Sequence, residues 1–181
     1  NSVPESRRFR LTKEDYDFEM IYYNADGGES SMCGNGGRCL IKFVYELGVH
    51  KTNYLFTAID GDHEATIDEN GWVSLKMKDV YGIKQHYADR ILDTGSPHYV
   101  KTISDIRNYD VVKVGRDIRY GNGFKKEGIN VNFVEGDHKG IFVRTYERGV
   151  EDETLSCGTG VTAAALIYAH NDNGFNRVEV K

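Results

Sequence analysis

The sequence MCGNGGRC at residues 32–39 and the sequence SCGTG at residues 156–160 decide the fold. Each follows a stretch typical of a strand and a polar loop, and each precedes apolar residues at helical spacing. The two Cys-Gly pairs, at Cys33 and Cys157, lie 124 residues apart. This repeat predicts an α+β protein with two pseudo-symmetric halves, each a mostly antiparallel sheet or barrel around a central helix. A cleft between such halves would hold the active site, with the two helix N-termini facing each other.

Periodicity in the rest of the chain agrees with this pattern. Alternating or β-branched stretches indicate strands at residues 17–23, 54–58, 63–67, 72–77, 129–134 and 140–146, and another strand begins at residue 177. A helix is predicted after each cysteine motif, and Gly48 is a suitable C-cap for the first helix. We therefore divide the chain into an N-terminal half, residues 1–94, with Cys33 and a C-terminal half, residues 95–181, with Cys157.

A Cys-Gly-x-Gly motif at the start of a helix combines two chemical properties. The first turn has backbone N–H groups without partners and carries partial positive charge, so it suits a carboxylate. Glycine lets these N–H groups approach a ligand closely. A thiol at a helix N-terminus has its thiolate form favoured. Two such motifs on opposite sides of one carbon would remove a proton from one face and return it to the other, as epimerisation requires.

The composition argues against several classes of function. The net charge is −5 and no strong cluster of lysine or arginine occurs, so nucleic acid is not an expected partner. No apolar run reaches the roughly 20 residues that cross a bilayer, and residues 1–9 lack the apolar segment of a secretory signal. Three cysteines are too few for a disulfide scaffold of 181 residues. We expect a cytoplasmic protein with no membrane partner.

Other uses of the cysteines remain open at this point. Cys33, Cys39 and Cys157 would supply ligands to zinc, but the spacing of the first two is unusual and no histidine lies at a standard distance. Cys33 and Cys39 would alternatively form a disulfide. A phosphate-binding loop is also conceivable, but neither motif ends in Gly-Lys-Ser/Thr. Because Cys39 lies within the predicted helix, we interpret it as a small buried hydrophobic residue.

Four stretches of the sequence resemble the diaminopimelate epimerases, a family of two-cysteine amino-acid epimerases that use no pyridoxal phosphate. The first is NADG at residues 24–27 followed by SMCGNGGRC at 31–39, and the second is YERG at 146–149 with ETLSCGTG at 153–160. Between them lie GSPH at residues 95–98 and NVNF at 130–133. The resemblance covers nearly the whole chain, and the two cysteine motifs together are highly specific.

The resemblance implies interconversion of LL- and meso-diaminopimelate in lysine and peptidoglycan precursor biosynthesis, by a homodimer without cofactor or metal. It implies that Cys33 and Cys157 act as the base and the acid, and that their roles swap in the reverse direction. Four residues would then offer backbone N–H groups to the reacting carboxylate of the amino-acid substrate: Gly34, Asn35, Gly158 and Thr159.

The resemblance also implies which side chains bind the other end of the substrate. Arg148 and Asn24, with Asn130, would recognise the distal carboxylate or amine, and Glu147 would bind an ammonium group. Without the resemblance, Glu147 and Arg148 would be interpreted as an ordinary solvated charge pair. His98 is a candidate for lining the site because the family motif contains it, although an isolated histidine is more often structural.

The sequence departs from the family pattern at three places. Ser96 stands where many relatives have an asparagine that contacts the distal end of the substrate, and we keep Ser96 as a candidate lining residue. The family pattern begins earlier, with a strand and a Gly-Asn-Asp-Phe-type motif, and continues beyond Lys181. A Gly-Ala-Asp-Gly stretch expected before Leu11 is also absent. We therefore expect segments of the family's chain to be missing here, with strands exchanged between the halves near the chain ends.

Two other kinds of function are kept as alternatives. Proline racemases and hydroxyproline epimerases also use two cysteines, but they typically have histidine where Asn35 stands, and their cyclic substrate has no second end for Glu147 and Arg148. An isomerase of the phenazine-biosynthesis type is disfavoured because it does not rely on the cysteine pair. From another class, the chain would be a non-catalytic zinc or redox-sensing protein, or an inactive paralogue that only binds.

Overall fold

A computed structural model describes residues 7–10 (backbone only), 16–23, 27–29, 32–137, 139–169 and 174–181. The chain forms two compact units, Asn1–Lys78 and Asp79–Lys181. The predicted boundary between residues 94 and 95 falls inside the second unit, because strands on the two sides of that point pair with each other. The division between the units therefore lies earlier in the chain than the sequence indicated.

The first unit contains a five-stranded sheet with a helix in one of its connections. The strands are β1 (Arg7–Arg10), β2 (Phe18–Tyr22), β3 (Asn53–Ala58), β4 (Gly61–Ile67) and β5 (Val73–Leu75), in the order β1-β2-β3-β4-β5. Helix α1 (Gly34–Glu46) connects β2 to β3. These two strands are parallel and the other neighbours are antiparallel. A helix is the usual connection between parallel strands, because a tight turn cannot join them.

The core of the first unit lies between α1 and the sheet. Ile41 and Val44, one helical turn apart, pack into the same cluster as Phe18 and Phe56 of the two parallel strands. The rings of Phe18 and Phe56 stack with centroids 5.0 Å apart. Burying each large apolar side chain contributes about 1.5–3 kcal/mol. This packing fixes the helix, and so its first residue, against the sheet.

The second unit contains a six-stranded sheet and two longer helices. Its strands are β6 (Ile83–His86), β7 (Asp89–Asp93), β8 (Pro97–Thr102), β9 (Asn130–Asp137), β10 (Gly140–Glu147) and β11 (Asp152–Thr154), in the order β11-β10-β9-β8-β7-β6. Helix α2 (Val111–Arg119) follows a single 3-10 turn (Ile106–Asn108), and helix α3 (Gly158–Tyr168) follows β11. Strands β8 and β9 are parallel, and the other pairs are antiparallel.

Residues of β8 and β9 alternate between two separate cores. Val131 and Phe133 belong to a cluster with Val111 of α2, while Val134 belongs to a second cluster with Ala163 of α3. Side chains of a strand point alternately to opposite faces, so the two clusters mark the two faces of the sheet. Polar residues that share a face with Val134 therefore lie on the α3 side.

The strand, loop, cysteine and helix pattern predicted from the sequence occurs in each unit. In the first unit, β2 leads through Cys33 into α1, and β3 returns parallel to β2. In the second unit, β10 leads through β11 and Cys157 into α3, and the chain returns so that Val180 forms a parallel bridge with Ile141. The backbone N–H of Lys181 donates to the carbonyl of Ile141 at 2.9 Å. This common topology confirms the predicted α+β class with two related parts.

Most elements expected from periodicity are present. The six strands predicted in the interior of the chain correspond to β2, β3, β4, β5, β9 and β10, and the two helices correspond to α1 and α3. The sequence did not indicate α2 or strands β6, β7 and β8, and it treated β11 as a loop. Among the helices that the described ranges contain, none is long and apolar enough to cross a membrane.

Candidate active site

Cys33 is the N-cap residue of α1, as the first motif predicted. Its backbone is extended, with φ −108° and ψ 113°, and its Sγ accepts a hydrogen bond from the backbone N–H of Gly36 at 3.3 Å. The carbonyl of Cys33 accepts from Gly37 at 2.8 Å, which closes the first turn. The side chain is partly exposed. A sulfur atom and the N–H groups of the first helical turn are therefore directed to one place.

The other predicted residues of this motif lie in or before the first turn of α1. Gly34 is buried and Asn35 is half-buried, and Asn35 Oδ1 accepts a hydrogen bond from the guanidinium of Arg38. Asn24, predicted to bind the distal end of the substrate, falls outside the described residues. Cys39 lies in α1 but is exposed, so its interpretation as a buried hydrophobic residue was wrong. Its position on the helix faces away from the core stripe that contains Ile41.

Cys157 occupies the corresponding N-cap position of α3. Its backbone is extended, with φ −127° and ψ 103°, and its side chain is 8 % exposed. Its Sγ lies 3.5 Å from Oγ1 of Thr159, and its carbonyl accepts from Val161 at 2.9 Å. A Cβ added at Gly160 would lie 3.3 Å from this sulfur, so glycine leaves the first turn close to the thiol. Gly158 and Thr159, both predicted as donors, form that turn.

Two residues outside the motif anchor the first turn of α3. The hydroxyl of Thr94 donates to the carbonyl of Thr159 at 2.9 Å, in the interior of the second unit. A Cβ added at Gly160 would lie only 2.2 Å from Oδ1 of Asn132, so the turn is in direct contact with that amide. Asn132 Oδ1 also accepts from the hydroxyl of Thr145 at 2.9 Å. The Cys157 motif is therefore held by buried polar side chains of the sheet.

A row of polar residues follows the α3 side of the sheet at the start of β8 and β9. The parallel register places His98 opposite Asn130, and Val100 opposite Asn132. Nδ2 of Asn132 lies 3.0 Å from Nδ1 of His98 and donates to the carbonyl of Tyr99 at 3.2 Å. Asn132 belongs to the NVNF motif at residues 130–133 but was not among the predicted site residues. The alternation of Asn130 and Asn132 on one strand was the signal that would have identified it.

His98, a candidate lining residue, is completely buried. Burial, and then the positive charge of Arg148, lower the pKa of His98 to about 3, although the hydrogen bond with Asn132 acts in the opposite direction. Nε2 of His98 is buried without a hydrogen-bond partner among the described residues. The imidazole is therefore neutral at physiological pH.

Ser96, Asn130 and Arg148 form one connected group. Nδ2 of Asn130 donates to Oγ of Ser96 at 2.9 Å, and Oδ1 of Asn130 accepts from the backbone N–H of Arg148 at 2.9 Å. The guanidinium of Arg148 reaches Ser96 Oγ at 3.4 Å and the carbonyl of Glu127 at 3.1 Å. Burial and the nearby charge of Arg119 lower the pKa of Arg148, against the opposing charges of two carboxylates. Three predicted residues are thus in mutual contact.

Glu147 is the last residue of β10, and Arg148 begins the loop between β10 and β11. Oε2 of Glu147 accepts from the hydroxyl of Thr154 at 2.7 Å, and its carbonyl accepts from the backbone N–H of Glu151 at 2.8 Å. Both side chains are partly buried, in contrast to a freely solvated charge pair. No group of three or more potential metal-ligating side chains occurs within the described residues.

Comparison with known proteins identifies the family. A family model described as diaminopimelate epimerase matches residues 7–82 and 90–181. The chain is similar to a diaminopimelate epimerase of Flavobacterium psychrophilum, with 52 % identity over 151 residues, which are 83 % of this chain and 59 % of that protein. It is also similar to one of Aquifex aeolicus, with 38 % identity over 83 % of this chain and 58 % of that protein.

The fold is also found in more distant enzymes. A hydroxyproline epimerase of Agrobacterium vitis, solved with trans-4-hydroxy-L-proline bound, superimposes with a TM-score of 0.66 at 14 % sequence identity, over 90 % of this chain and 58 % of that one. At this identity the likeness concerns the fold alone. The chain spans slightly less than three fifths of the two diaminopimelate epimerases compared above. Because the family model covers both cysteine motifs and nearly all of the chain, the protein belongs to the diaminopimelate epimerase family.

Proposed function

We propose that the protein interconverts LL- and meso-diaminopimelate by proton transfer between two thiols and the α-carbon, without pyridoxal phosphate or metal. The observation that carries this proposal is that Cys33 and Cys157 each cap the N-terminus of a helix within the same strand–helix–strand topology. Family membership supports the choice of substrate. The activity would supply meso-diaminopimelate to lysine and peptidoglycan precursor biosynthesis.

The reaction requires one thiolate and one thiol at the same carbon. The thiolate takes the α-proton and becomes a thiol, and the electron pair left on carbon delocalises into the substrate carboxylate. The second thiol then gives its proton to the opposite face and becomes a thiolate. No proton or electron is gained or lost overall, and the two cysteines have exchanged protonation states. The reverse reaction therefore starts from the protonation states in which the forward reaction leaves the two cysteines.

Backbone N–H groups of the two helix N-termini would stabilise the negative charge that develops on the carboxylate. Gly34 and Asn35 begin α1, and Gly158 and Thr159 begin α3. Donors held by a rigid helix need no reorganisation when charge develops, which is why such groups accelerate reactions. The backbone N–H of Gly36, in the same turn as Gly34 and Asn35, donates to Cys33 Sγ at 3.3 Å.

The distal end of the substrate would be bound by Arg148 and Glu147, with Asn24. An arginine presents a planar fork that suits a carboxylate, and a carboxylate suits an ammonium group. Asn130 would contribute by fixing the backbone of Arg148, since its Oδ1 accepts from that N–H. Ser96 and His98 would line the same region, where Ser96 Oγ accepts from Asn130.

The direct test is an assay with LL-diaminopimelate in deuterated water, following stereochemistry and deuterium uptake together. We expect one solvent deuterium at the α-carbon for each inversion. Cys33→Ala and Cys157→Ala should each lower kcat about a thousandfold or more, since each removes a group that transfers a proton. Circular dichroism should show that both variants remain folded.

Cys39→Ala is the matched control for this test. It makes the same substitution in the same helix at an exposed position, and it should leave kcat unchanged. Product without deuterium, or equal loss of activity in all three variants, would contradict a two-thiol mechanism. Turnover of proline or hydroxyproline in place of diaminopimelate would favour the alternative suggested by the shared fold.

A cytoplasmic location and a homodimeric state are proposals as well. The three cysteines are free thiols, which is usual in a reducing compartment. The dimer follows from the resemblance to the family. Light scattering of the purified protein tests the dimer, and cell fractionation tests the location.

A further inference from the structure

We propose that Arg119 and Glu151 are positioning residues, whose ion pair holds the loop that carries Glu147 and Arg148. We call this pair the loop clamp. The inference rests on the proposed function, because it assigns the clamp an effect on affinity for the distal end of diaminopimelate. Neither residue belongs to the sequence motifs, and neither is assigned to contact the substrate.

The loop after β10 has a conformation that needs support. Glu151 has φ +60°, a left-handed backbone conformation that residues other than glycine rarely adopt. Gly149, two residues earlier, has φ +88°. Backbone N–H groups of Val150 and Glu151 both point to the carbonyl of Glu147, at 3.3 and 2.8 Å. A tight reversal with a strained residue persists only when surrounding contacts determine it.

The side chain of Glu151 supplies those contacts. Oε1 accepts from Nε of Arg119 at 3.2 Å and from the backbone N–H of Gly149 at 3.1 Å, and Oε2 accepts from the hydroxyl of Tyr146 at 3.2 Å. Burial and the carboxylate of Glu151 raise the pKa of Tyr146 to about 12, so this hydroxyl remains a donor. The carboxylate therefore joins the loop to strand β10 and to the last residue of α2.

The side chain of Arg119 is largely buried where it contacts Glu151. Its side chain is 14 % exposed, its guanidinium lies 4.7 Å from the ring centroid of Tyr120, and its Nε binds Glu151. Its Nη1 is buried without a hydrogen-bond partner among the residues that the structure describes. The ion pair with Glu151 is the hydrogen-bonded contact described for this side chain.

The clamp also brings a second guanidinium close to Arg148. A Cβ added at Gly128 would lie 2.6 Å from Cδ of Arg148 and 2.8 Å from Cζ of Arg119, so both side chains cover the same glycine. The positive charge of Arg119 lowers the pKa of Arg148 and the carboxylate of Glu151 acts in the opposite direction. Loss of Glu151 should therefore leave the two guanidinium groups to repel each other, and loss of either member of the clamp should loosen the loop.

The test compares Arg119→Met, Glu151→Gln and the double variant with the unchanged protein, in the diaminopimelate assay. For Arg119→Met we expect KM to rise about fivefold or more while kcat changes less than about twofold, because binding is weakened equally in the ground and transition states. The double variant should be no worse than the worse single one, since the two residues act through one contact. Arg116→Met is the matched control on the exposed side of α2 and should leave KM unchanged.

A second measurement keeps this inference separate from the proposed function. Amide hydrogen exchange at Gly149, whose N–H donates to Glu151, should be faster in Arg119→Met than in Arg116→Met. If the unchanged protein does not epimerise diaminopimelate, the proposed function fails while the exchange result still judges the clamp. Equal KM values in both methionine variants, or equal exchange at Gly149, would overturn the clamp.

Discussion

Cysteine is a rare choice at a helix N-cap, where serine, threonine, aspartate and asparagine are preferred. In those residues a side-chain oxygen accepts from a backbone N–H of the first turn. Cys33 Sγ accepts from Gly36 in the same geometry, so the sulfur takes the place of the capping oxygen. A weaker cap is the result, since sulfur is a weak acceptor. What the position gains is a thiol, the group that the proposed reaction requires.

At the same scale, Asp60 and His63 predict an acid-sensitive contribution to stability. Oδ1 of Asp60 lies 2.9 Å from Nε2 of His63, and both side chains are largely buried. Burial raises the pKa of Asp60, but the hydrogen bond and charge of His63, a backbone hydrogen bond and the charge of Lys78 together lower it below the ordinary 3.8. A lowered carboxyl pKa stabilises the fold above the unfolded-state pKa, and the gain is lost as pH falls through the folded-state pKa.

We therefore expect Asp60→Asn to lower the free energy of unfolding by about 1 kcal/mol near neutral pH. The difference from the unchanged protein should shrink as pH falls below 3.8. Urea unfolding at a series of pH values measures it. Asp62→Asn is the control. Asp62 is exposed on β4, the strand that contains His63, and among the described hydrogen bonds it has none to His63. A constant difference at every pH would rule out the titration of Asp60 as the cause.

Single residues of the site were predictable where a motif named them, and not where the fold brought them together. The Cys-Gly-x-Gly motif and the helical spacing that follows it are enough to indicate Cys33 and Cys157 as N-caps. Asn132 was missed because its importance comes from contact with Gly160, far away in sequence. The exposure of Cys39 was mispredicted because a position within a helix does not determine burial. Burial depends on which face of the helix packs against the core.

At the scale of elements, α2 is the clearest failure of sequence analysis. The helix is nine residues long, which is short for a periodic signal, and it contains valines and a glycine that lower helix propensity. One indication was present: Asp110 is the N-cap and its side chain accepts from Lys113. Most of the stability of such a helix comes from tertiary packing, which a local pattern does not contain. Strands β6 to β8 were missed for a similar reason, because short strands are defined by their partners.

The packing of α2 against β10 depends on Gly115. A Cβ at this position would lie 2.4 Å from Cβ and 2.7 Å from Cγ of Tyr146, which is completely buried. These atoms are close to the backbone and cannot rotate away. Alanine favours a helix over glycine by about 1 kcal/mol, but overpacking costs about 1–3 kcal/mol. We expect Gly115→Ala to be destabilising by about 1–2 kcal/mol in urea unfolding.

Gly123→Ala provides the comparison for that substitution. Gly123 has open space around its Cα and lacks a positive φ, so alanine should be tolerated there. Similar stability of the two alanine variants would show that α2 shifts to accommodate the methyl group. A displaced α2 would also move Arg119, so Gly115→Ala should raise KM in the same direction as loss of the clamp.

At the scale of the molecule, the repeated topology was predictable and the sheet partners were not. The two cysteine motifs indicated two related parts, because the same pattern recurs in sequence. The boundary after Lys78, however, is set by β6, which pairs with β7, and by β7, which pairs with β8. Hydrophobic alternation identifies a strand but does not name its neighbour.

The proposed chemistry leads to a prediction about oxidation. Both thiols must reach one α-carbon, so mild oxidation should join Cys33 to Cys157 and abolish activity, and a reductant should restore it. Cys33 is the N-cap of α1 and Cys39 lies within that helix. The two residues are therefore about 9 Å apart along the helix axis. A disulfide needs Cα atoms about 4.4–6.8 Å apart, so this pair is excluded while α1 is folded.

Mass spectrometry of peptides from the oxidised, unreduced protein identifies the bridge. The Cys39→Ser variant should form the bridge between Cys33 and Cys157 as readily as the unchanged protein. A bridge between Cys33 and Cys39, or full activity with Cys33 and Cys157 joined, would contradict the proposed geometry of the reaction.

The parallel bridge between Val180 and Ile141 has a consequence for the newborn chain. The first crossover can close once β3 has left the ribosome, but the second waits for the segment that contains Val180. Translation at about 5–20 residues per second leaves roughly 6–25 s between synthesis of the two thiols, which are 124 residues apart. During that interval Cys33 has been synthesised and Cys157 has not. Under the proposed two-thiol reaction, the nascent chain therefore carries the first thiol for several seconds before catalysis can begin.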